Sequence, residues 1–188
     1  MNTNRTEYII SITSRDRVGL IYDVSSAISY MNGDLADMRQ QVLHGYLTMI
    51  MYVSFPANVE TEEINRRLVA AGTDDAAIEV SIKVLTKSQI DSSDSIKNCY
   101  VLTAEGEDRI GFVATVTKFC KDNDINILDL STTVSGDRYI MILFVDMSKC
   151  LSMDEIRSRL DRFADDTDLN MVLQHYDIFK ATNEIKIF

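Results

Sequence analysis

The sequence predicts an α+β fold made of two ferredoxin-like βαββαβ units in tandem, each an antiparallel sheet with its helices on one face. An Asp-Arg-aliphatic-Gly turn occurs twice, at residues 16–19 and 108–111. The chain also matches itself at an offset of 92 residues, and each half alternates strand-like with helix-like apolar periodicity. Because half of 188 is 94, two small domains fit this repeat better than one large domain.

The internal repeat extends well beyond the turn. Aligning residues 8–80 with 100–172 without a gap pairs 73 positions, of which 16 are identical. Chance agreement would give roughly 4 or 5 identities. The identical pairs include Tyr8/Tyr100, Asp16/Asp108, Arg17/Arg109, Gly19/Gly111, Val24/Val116, Asp37/Asp129, Met49/Met141, Val53/Val145, Ile64/Ile156 and Leu68/Leu160. This distribution indicates a duplicated domain and not a solenoid.

Each unit is predicted to begin with a short strand, at residues 8–13 or 100–104. The turn follows and opens a helix whose apolar residues keep the three-and-four spacing of an amphipathic helix. These apolar residues are Leu20, Ile21, Val24, Ala27, Ile28 and Met31 in the first unit and Phe112, Val113, Val116, Phe119 and Cys120 in the second. A turn and a second strand come next, the strand at about 35–43 or 127–135.

The rest of each unit is predicted to be a hairpin turn, a strong third strand, a second helix with acidic residues at its start, and a last strand. In the first unit the hairpin turn is at 44–45, the third strand at 46–55, the start of the second helix at 61–64 and the last strand at about 77–85. In the second unit the same elements are at 135–137, 139–147, 152–156 and about 170–178. The order β-α-β-β-α-β places the first and third strands at the centre of a four-stranded antiparallel sheet.

The domain boundaries follow from the repeat. We expect a first domain at 1–86, a polar, Ser-rich linker at 87–98, a second domain at 99–180 and a tail at 181–188. The third strand is apolar on both faces at 49–53, so a neighbouring copy or a second chain is expected to cover the face opposite the helices. A homodimer would provide such cover.

Composition and charge narrow the classes of function. The formal net charge is −10, and neither half is basic, with 8 basic and 11 acidic residues in 1–90 and 11 and 18 in 91–188. Direct nucleic-acid binding is not expected, so any role in gene regulation would act through a protein partner. No apolar run is long enough to span a bilayer and the start is polar, which predicts a cytosolic protein without a membrane role.

No catalytic, cofactor or metal motif is recognisable. The three cysteines form no CxxC pair, and Cys120 is expected to be a small core residue. His44 and His175 have no third ligand-type residue near them in a metal spacing. We find no P-loop, nucleophile elbow or Rossmann glycine pattern. A non-catalytic protein without a cofactor is therefore expected, and an enzyme of unknown type would need a polar inter-domain residue essential for turnover.

The chemistry of the turn suggests an anion or amino-acid site. Gly19 and Gly111 permit a sharp turn and a close approach of a ligand to the backbone, and the amides that begin the helix favour a carboxylate. The aspartates of the turn, Asp16 and Asp108, could accept a hydrogen bond from an α-ammonium group, and the arginines, Arg17 and Arg109, could bind a carboxylate. The alternative is structural: Asp caps the helix, Arg is a solvated neighbour and Gly serves the turn.

These features resemble the ACT domain, a small-molecule sensing module of amino-acid metabolism. The resemblance rests on the Asp-Arg-x-Gly turn, which is followed by the aliphatic Leu20 in the first unit and by the aromatic Phe112 in the second, and on the Asn126-Ile127 step that opens a second strand. It covers nearly the whole chain in two copies. Two such domains without a catalytic domain are similar in layout to amino-acid-sensing regulators of the glycine cleavage repressor type.

The resemblance implies an effector held between two domains, by the turn of one and the start of the second strand of the other. The strand-start positions are Asp34 and Asn126, of which Asn126 keeps the family's amide and Asp34 departs from it. Side-by-side pairing would join Asp16 to Asn126 and Asp108 to Asp34. Two carboxylates facing one pocket repel each other unless a cation lies between them, so the Asp16/Asn126 site is the better amino-acid site. Both strand-start residues could instead be simple turn formers.

The preferred hypothesis is a sensor that binds a small amino acid and signals to a protein partner. The alternative is a constitutive interaction or assembly module without an effector.

Overall fold

The structure, a computed structural model, describes residues 4–86, 99–150 and 152–182. The chain divides into two units, Met1–Asp94 and Ser95–Phe188, and each is described by itself. The predicted linker at 87–98 lies outside the described residues, as do residues 183–188 of the predicted tail.

The first unit has the predicted order of elements. They are β1 (Arg5–Arg15), α1 (Leu20–Tyr30), β2 (Asp34–Leu43), β3 (Tyr46–Pro56), α2 (Thr61–Ala70) and β4 (Glu79–Val84). The strands form one antiparallel sheet in the order β2-β3-β1-β4. The first and third strands are therefore central, as the order of the elements predicted.

The second unit repeats this plan and adds one helix. Its elements are β5 (Cys99–Glu107), α3 (Phe112–Asp122), β6 (Asn126–Ser135), β7 (Arg138–Asp146), α4 (Met153–Thr167), β8 (Asn170–His175) and α5 (Tyr176–Thr182). The antiparallel sheet has the order β6-β7-β5-β8. Two such sheets with their helices confirm the predicted α+β fold.

The core of each unit lies between the helices and one face of the sheet. In the first unit alternate residues of β1 and β3 join the apolar faces of α1 and α2 in one buried cluster. The run at 49–53 is buried on this side only, since Met49, Met51 and Val53 are buried whereas Ile50 is 48% exposed. Cover of the opposite face by a partner therefore stays a prediction.

The two units differ in register at their last strand. Val80 of β4 lies opposite Ile12, whereas Met171 of β8 lies opposite Ala104, which corresponds to Ile12. The offset between units thus falls from 92 to 91 residues, and the ungapped alignment was wrong for this strand. Because side chains alternate between faces, the aligned Val172 points away from the core and is exposed.

The C-terminal helix α5 was not predicted. The last strand was expected to run to about 178, but β8 ends at His175 and the chain continues as α5 through Thr182. Tyr176 and Phe179, three residues apart, share one face of this helix and both contact Phe144 of β7, with ring centroids 6.1 and 6.2 Å away. Burial of these aromatic rings outweighs the β propensity of the segment.

The helix α5 covers part of the sheet face that is turned away from α3 and α4. Phe144 lies on that face, and its partner in register is Val101 of β5, which is only 1% exposed. In the second unit, the chain itself thus supplies cover that was expected from a neighbour. Among the described residues, no helix is long and apolar enough to cross a membrane.

Candidate functional site

The Asp-Arg-x-Gly turn has the same backbone in both units. Gly19 and Gly111 stand at the N-caps of α1 and α3 with φ of +88° and +91°, a left-handed conformation that glycine adopts without strain. The Asp16 amide donates to the Gly45 carbonyl at 2.9 Å, and the Asp108 amide donates to the Asp137 carbonyl at 3.0 Å. Each turn is thereby fixed to the hairpin between the second and third strands of its own unit.

The start of each helix has no side-chain cap. The N-cap residues are Gly19 and Gly111, and among the described residues no side-chain hydrogen bond caps either helix, so Asp16 and Asp108 do not have the capping role of the structural alternative. The amides of the first helical turn have no acceptor within the helix, because only residues from the fourth onwards can find one. An anion at either turn would meet backbone donors that no side chain of the turn has taken.

The space beside each glycine is open. A Cβ atom built on Gly111 would have no heavy atom of the described residues within 4 Å, and one on Gly19 would meet only Arg17 Nη1 at 3.8 Å. The glycines are therefore required by their φ and not by close packing. A small ligand could approach this part of the backbone.

Leu20 and Phe112 point away from this open space. Both are the first residues of their helices and both are buried in the core of their unit. Phe112 packs on the ring of Tyr139 with centroids 4.8 Å apart. Their contribution to a ligand site is limited to the backbone, and the amides of both already donate to the carbonyls of Arg17 and Arg109 at 3.4 and 3.2 Å.

Arg17 is neither a solvated neighbour nor a free carboxylate binder. Its Nη2 atom lies 2.7 Å from Asp23 Oδ2 and donates to the Ala71 carbonyl at 3.0 Å, and its Nη1 donates to the Val18 carbonyl at 3.4 Å. The side chain is 23% exposed. Arg17 therefore joins the turn, the first turn of α1 and the end of α2.

Arg109 occupies the same place with fewer partners. Its Nη2 atom donates to the Thr167 carbonyl at the end of α4, at 2.7 Å, and the residue is exposed. The position that corresponds to Asp23 is Thr115, which has no carboxylate to offer. The two turns thus share a backbone but differ in how firmly their arginine is held.

The strand-start residues lie far from the turn of their own unit. Asp34 is the first residue of β2 and pairs with Ser54, which pairs with Glu7 near the beginning of β1, whereas the turn follows Arg15 at its end. Eight residues of strand separate these levels, about 26 Å at 3.3 Å per residue. Asn126 of β6 is placed equivalently, at the level of Cys99. The structure therefore does not bring a turn and a strand start together within either unit.

An acidic cleft borders the turn in each unit. In the second unit it is lined by Glu107, Asp137, Arg138, Ala164, Asp165, Asp168, Leu169 and Asn170, and in the first by Thr13, Ser14, Arg15, Tyr46, Asp74, Asp75, Ala77 and Glu79. Carboxylates outnumber basic side chains in both linings, so these clefts suit an ammonium group better than an anion.

The sequence interpretation missed the residues that shape the turn and the second strand. Asp23 was not considered, although an acidic residue four positions after Gly19 is a recognisable signal for pairing with a basic turn residue. Asp37 and Asp129 follow a β-bulge in each unit and accept a hydrogen bond from the next backbone amide at 2.8 and 2.9 Å. Their identity in both copies was a usable signal.

The cysteines show no sign of reactivity. Burial raises the pKa of the Cys120 thiol to about 11, and burial is also the main cause that raises the pKa of Cys99 and Cys150. Thiolates, the reactive form, are therefore disfavoured at neutral pH. Cys120 is a core residue, as predicted. In the described part of the chain, no three His, Cys, Asp or Glu residues are grouped so as to hold a metal ion.

The structure places His44 and His175 in the elements predicted from the sequence, the hairpin turn and the last strand. His44 and Gly45 form the turn between β2 and β3, both with positive φ, and His175 ends β8. The ring of His175 packs edge-on against Tyr100 with centroids 5.0 Å apart, and its Nδ1 accepts a hydrogen bond from the Asp177 amide at 3.3 Å. This histidine has a structural role where β8 gives way to α5.

Comparison with known proteins agrees with two repeated domains. The ACT domain model matches residues 7–82 and 98–174. A UPF0237 protein of Methanocaldococcus jannaschii is 33% identical over 86 residues, which are 45% of this chain and 96% of that protein. A UPF0237 protein of Neisseria meningitidis serogroup B is 39% identical over 92 residues, which are 47% of this chain and 99% of that protein. Each of these relatives therefore has the length of one unit.

Two solved structures are similar over most of the chain. An unknown protein from Galdieria sulphuraria has a TM-score of 0.73 at 22% identity, covering 92% of this chain and 99% of its own. A protein proposed to be a glycine cleavage system transcriptional repressor has a TM-score of 0.65 at 16% identity, covering 91% and 97%. At such identities the likeness shows the fold alone. The family model, by contrast, matches the sequence of both units, and the chain belongs to the ACT domain family, with two ACT domains in tandem.

Proposed function

We propose that this protein is a non-catalytic regulator that binds a small amino acid through its Asp-Arg-x-Gly turns and signals to a protein partner. Membership of the ACT family supports sensing of a small molecule, and the structural neighbour proposed to be a glycine cleavage system transcriptional repressor supports a role in controlling amino-acid metabolism. The net charge of −10 favours a protein partner over direct contact with nucleic acid.

The proposal is carried by the uncapped helix start beside an open glycine, which occurs in both units. A capping Ser, Thr, Asp or Asn normally satisfies one of the first amides of a helix. Here the N-cap is a left-handed glycine without a side chain. An amino-acid carboxylate fits these donors, and the exposed side chain of Asp16 is close in sequence to accept its ammonium group.

In the proposed arrangement each complete site takes a turn from one domain and a strand start from the other. Within one domain the two lie about 26 Å apart along the sheet, so a ligand of amino-acid size cannot touch both. Asp16 with Asn126 provides one carboxylate and one amide, which match an ammonium and a carboxylate. Asp108 with Asp34 provides two carboxylates, which makes a zwitterion a poorer ligand there. Binding at the first pair would stabilise one relative placement of the domains and so favour the form that the partner recognises.

Titration calorimetry with a panel of amino acids tests this proposal. We expect Asp16→Ala and Asn126→Ala each to weaken binding by about ten-fold or more, since a hydrogen bond to a charged group contributes about 1.5–3 kcal/mol. Asp34→Ala is the matched control, because it removes a strand-start side chain of the other pair and should leave this affinity nearly unchanged. Failure of every amino acid to bind the unmodified protein would refute the sensing role. Equal losses in all three variants would refute the assignment of the pair.

Exposed apolar side chains at the tips of the turns favour a second function, that of a constitutive interaction module. Val18 and Ile110 are fully exposed, at 101% and 107% of the reference area. Burial of these side chains against a partner would remove apolar surface from water. A stoichiometric partner whose capture is lost in Val18→Ser or Ile110→Ser, but is unaffected by added amino acids, would favour this function over sensing.

A further inference from the structure

We infer that Arg17 and Arg109 are positioning residues, each of which clamps the turn to the C-terminal end of the second helix in its own unit. The link from this clamp to a ligand rests on the proposed function. The clamp itself is a property of the free protein and can be tested without any ligand.

The first clamp joins three segments through one guanidinium group. Arg17 is part of the turn, its Nη2 reaches the Ala71 carbonyl at the C-cap of α2, and the same nitrogen lies 2.7 Å from the Asp23 carboxylate in the first turn of α1. A cation is favourable at the C-terminal end of a helix because the last carbonyls have no partner within the helix. The guanidinium therefore satisfies the end of α2 while its position is set by Asp23.

The second clamp keeps this contact although the helix it reaches has changed length. α4 has 15 residues and α2 has 10, so the residue in α4 that corresponds to Ala71 is Phe163, inside the helix. Arg109 contacts Thr167 instead, which is the last residue of α4. The partner has shifted by one helical turn, but it is still a carbonyl at the end of the second helix. Such retention favours a role at the helix end over a chance contact.

The two clamps are unequal because the acid that braces the first one is missing from the second. Thr115 occupies the position of Asp23, and the backbone is equivalent, since both amides donate to the carbonyl of the N-cap glycine, at 2.8 and 2.9 Å. The Arg17 side chain is 23% exposed, whereas Arg109 is largely exposed to solvent. The first turn is thus preorganised more firmly than the second.

The consequence of the clamp is a connection between the turn and the far end of the second helix. A ligand that orders the turn also holds the arginine, and the arginine holds the terminal carbonyls of α2 or α4. A partner protein that contacts the end of that helix could in this way detect a ligand it does not touch. In the first unit Asp23 also holds Arg17, so a change in the turn would reach the end of α2 with less loss of order in the arginine side chain.

Hydrogen exchange of the full chain, without ligand, tests the role of the acidic partner by adding an aspartate to the second unit, where this partner is absent. Thr115→Asp should slow exchange of the amides at the end of α4 and in the first turn of α3 by about two- to five-fold, the range of an exposed ion pair. An acidic residue near a helix N-terminus is also favourable by itself. The double variant Arg109→Gln/Thr115→Asp separates the two effects, because it keeps the acid and removes its partner. Equal slowing in both backgrounds would overturn the inference.

The converse variant removes the first clamp. Arg17→Gln should speed exchange of the Ala71 and Gly72 amides at the end of α2 while leaving the central amides of β1 unchanged. Uniformly faster exchange would indicate a general loss of stability, and an unchanged helix end would also overturn the inference. If an amino acid binds, it should slow exchange at Ala71 and Gly72 in the unmodified protein but not in Arg17→Gln. If no amino acid binds, the proposed function fails, and the clamp still stands or falls with the ligand-free measurements.

Discussion

Replacement of Phe179 by alanine tests whether α5 is an integral part of the second domain. Phe179 is 8% exposed, and its ring packs against Phe144 on the outer face of the sheet. The next residue toward the N-terminus, Ile178, is 55% exposed. The two positions therefore share one helix and differ mainly in burial, which makes Ile178→Ala the matched control.

The expected magnitude follows from the buried area. An aromatic side chain buries about 150–250 Å², and burial of apolar surface contributes about 25 cal/mol per Å². Phe-to-Ala changes in a core cost about 3–5 kcal/mol, and a short terminal helix can relax into the space left behind, so we expect a loss of about 3 kcal/mol for Phe179→Ala. Ile178→Ala should cost about 1 kcal/mol or less, since about half of that side chain is already in water.

Urea unfolding followed by circular dichroism gives the free energy of unfolding, and hydrogen exchange locates the change. In Phe179→Ala we expect faster exchange along α5 and at Val101 in β5, whose side chain lies under the same part of the face. Similar losses for Phe179→Ala and Ile178→Ala, or unchanged exchange at Val101, would refute the view that α5 is held by its buried aromatic face.

Two further stability predictions accompany those for ligand binding and for the clamp. Gly111→Ala should destabilise the protein by about 1–2 kcal/mol, because an L-residue is strained at φ +91°, whereas Gly111→Asn should cost less, and equal costs in urea unfolding would contradict this. The pKa of Cys120 is raised by burial from 9.0 to about 11, so its contribution to stability is complete below pH 9 and is lost as the pH rises toward 11. Between pH 8 and 10.5 the unmodified protein should therefore lose about 2 kcal/mol more than Cys120→Ala does, and parallel pH profiles would contradict the burial argument.

The fold was predictable because its signals are local and occur twice. The alternation in β1 and β3 and the three-and-four spacing in α1 are short-range patterns, and the repeat confirmed each of them independently. The α5 segment was not predictable in this way. Tyr176 and Phe179 are β-prone residues whose rings pack in the helix against Phe144, which is distant in sequence.

The turns were found from the sequence, but their internal contacts were not. The glycine conformation follows from the residue type and its place between strand and helix. The partners of Arg17 and Arg109 depend instead on where α2 and α4 end, and these helices differ in length by five residues. A local pattern carries no information about such a contact, so the arginines were interpreted as ligand or solvent contacts.

The separation of turn and strand start has a consequence for how occupancy depends on protein concentration. Under the proposed pairing, a single ACT unit would carry two half-sites at opposite ends of its sheet, and a chain with the length of one unit would complete them only with another molecule. Joining two units in one chain would then replace that encounter with an effective concentration that does not depend on the protein concentration. Dilution would then no longer empty the sites. Duplication would also have freed the half-sites to diverge, as Asp34 and Asn126 have done.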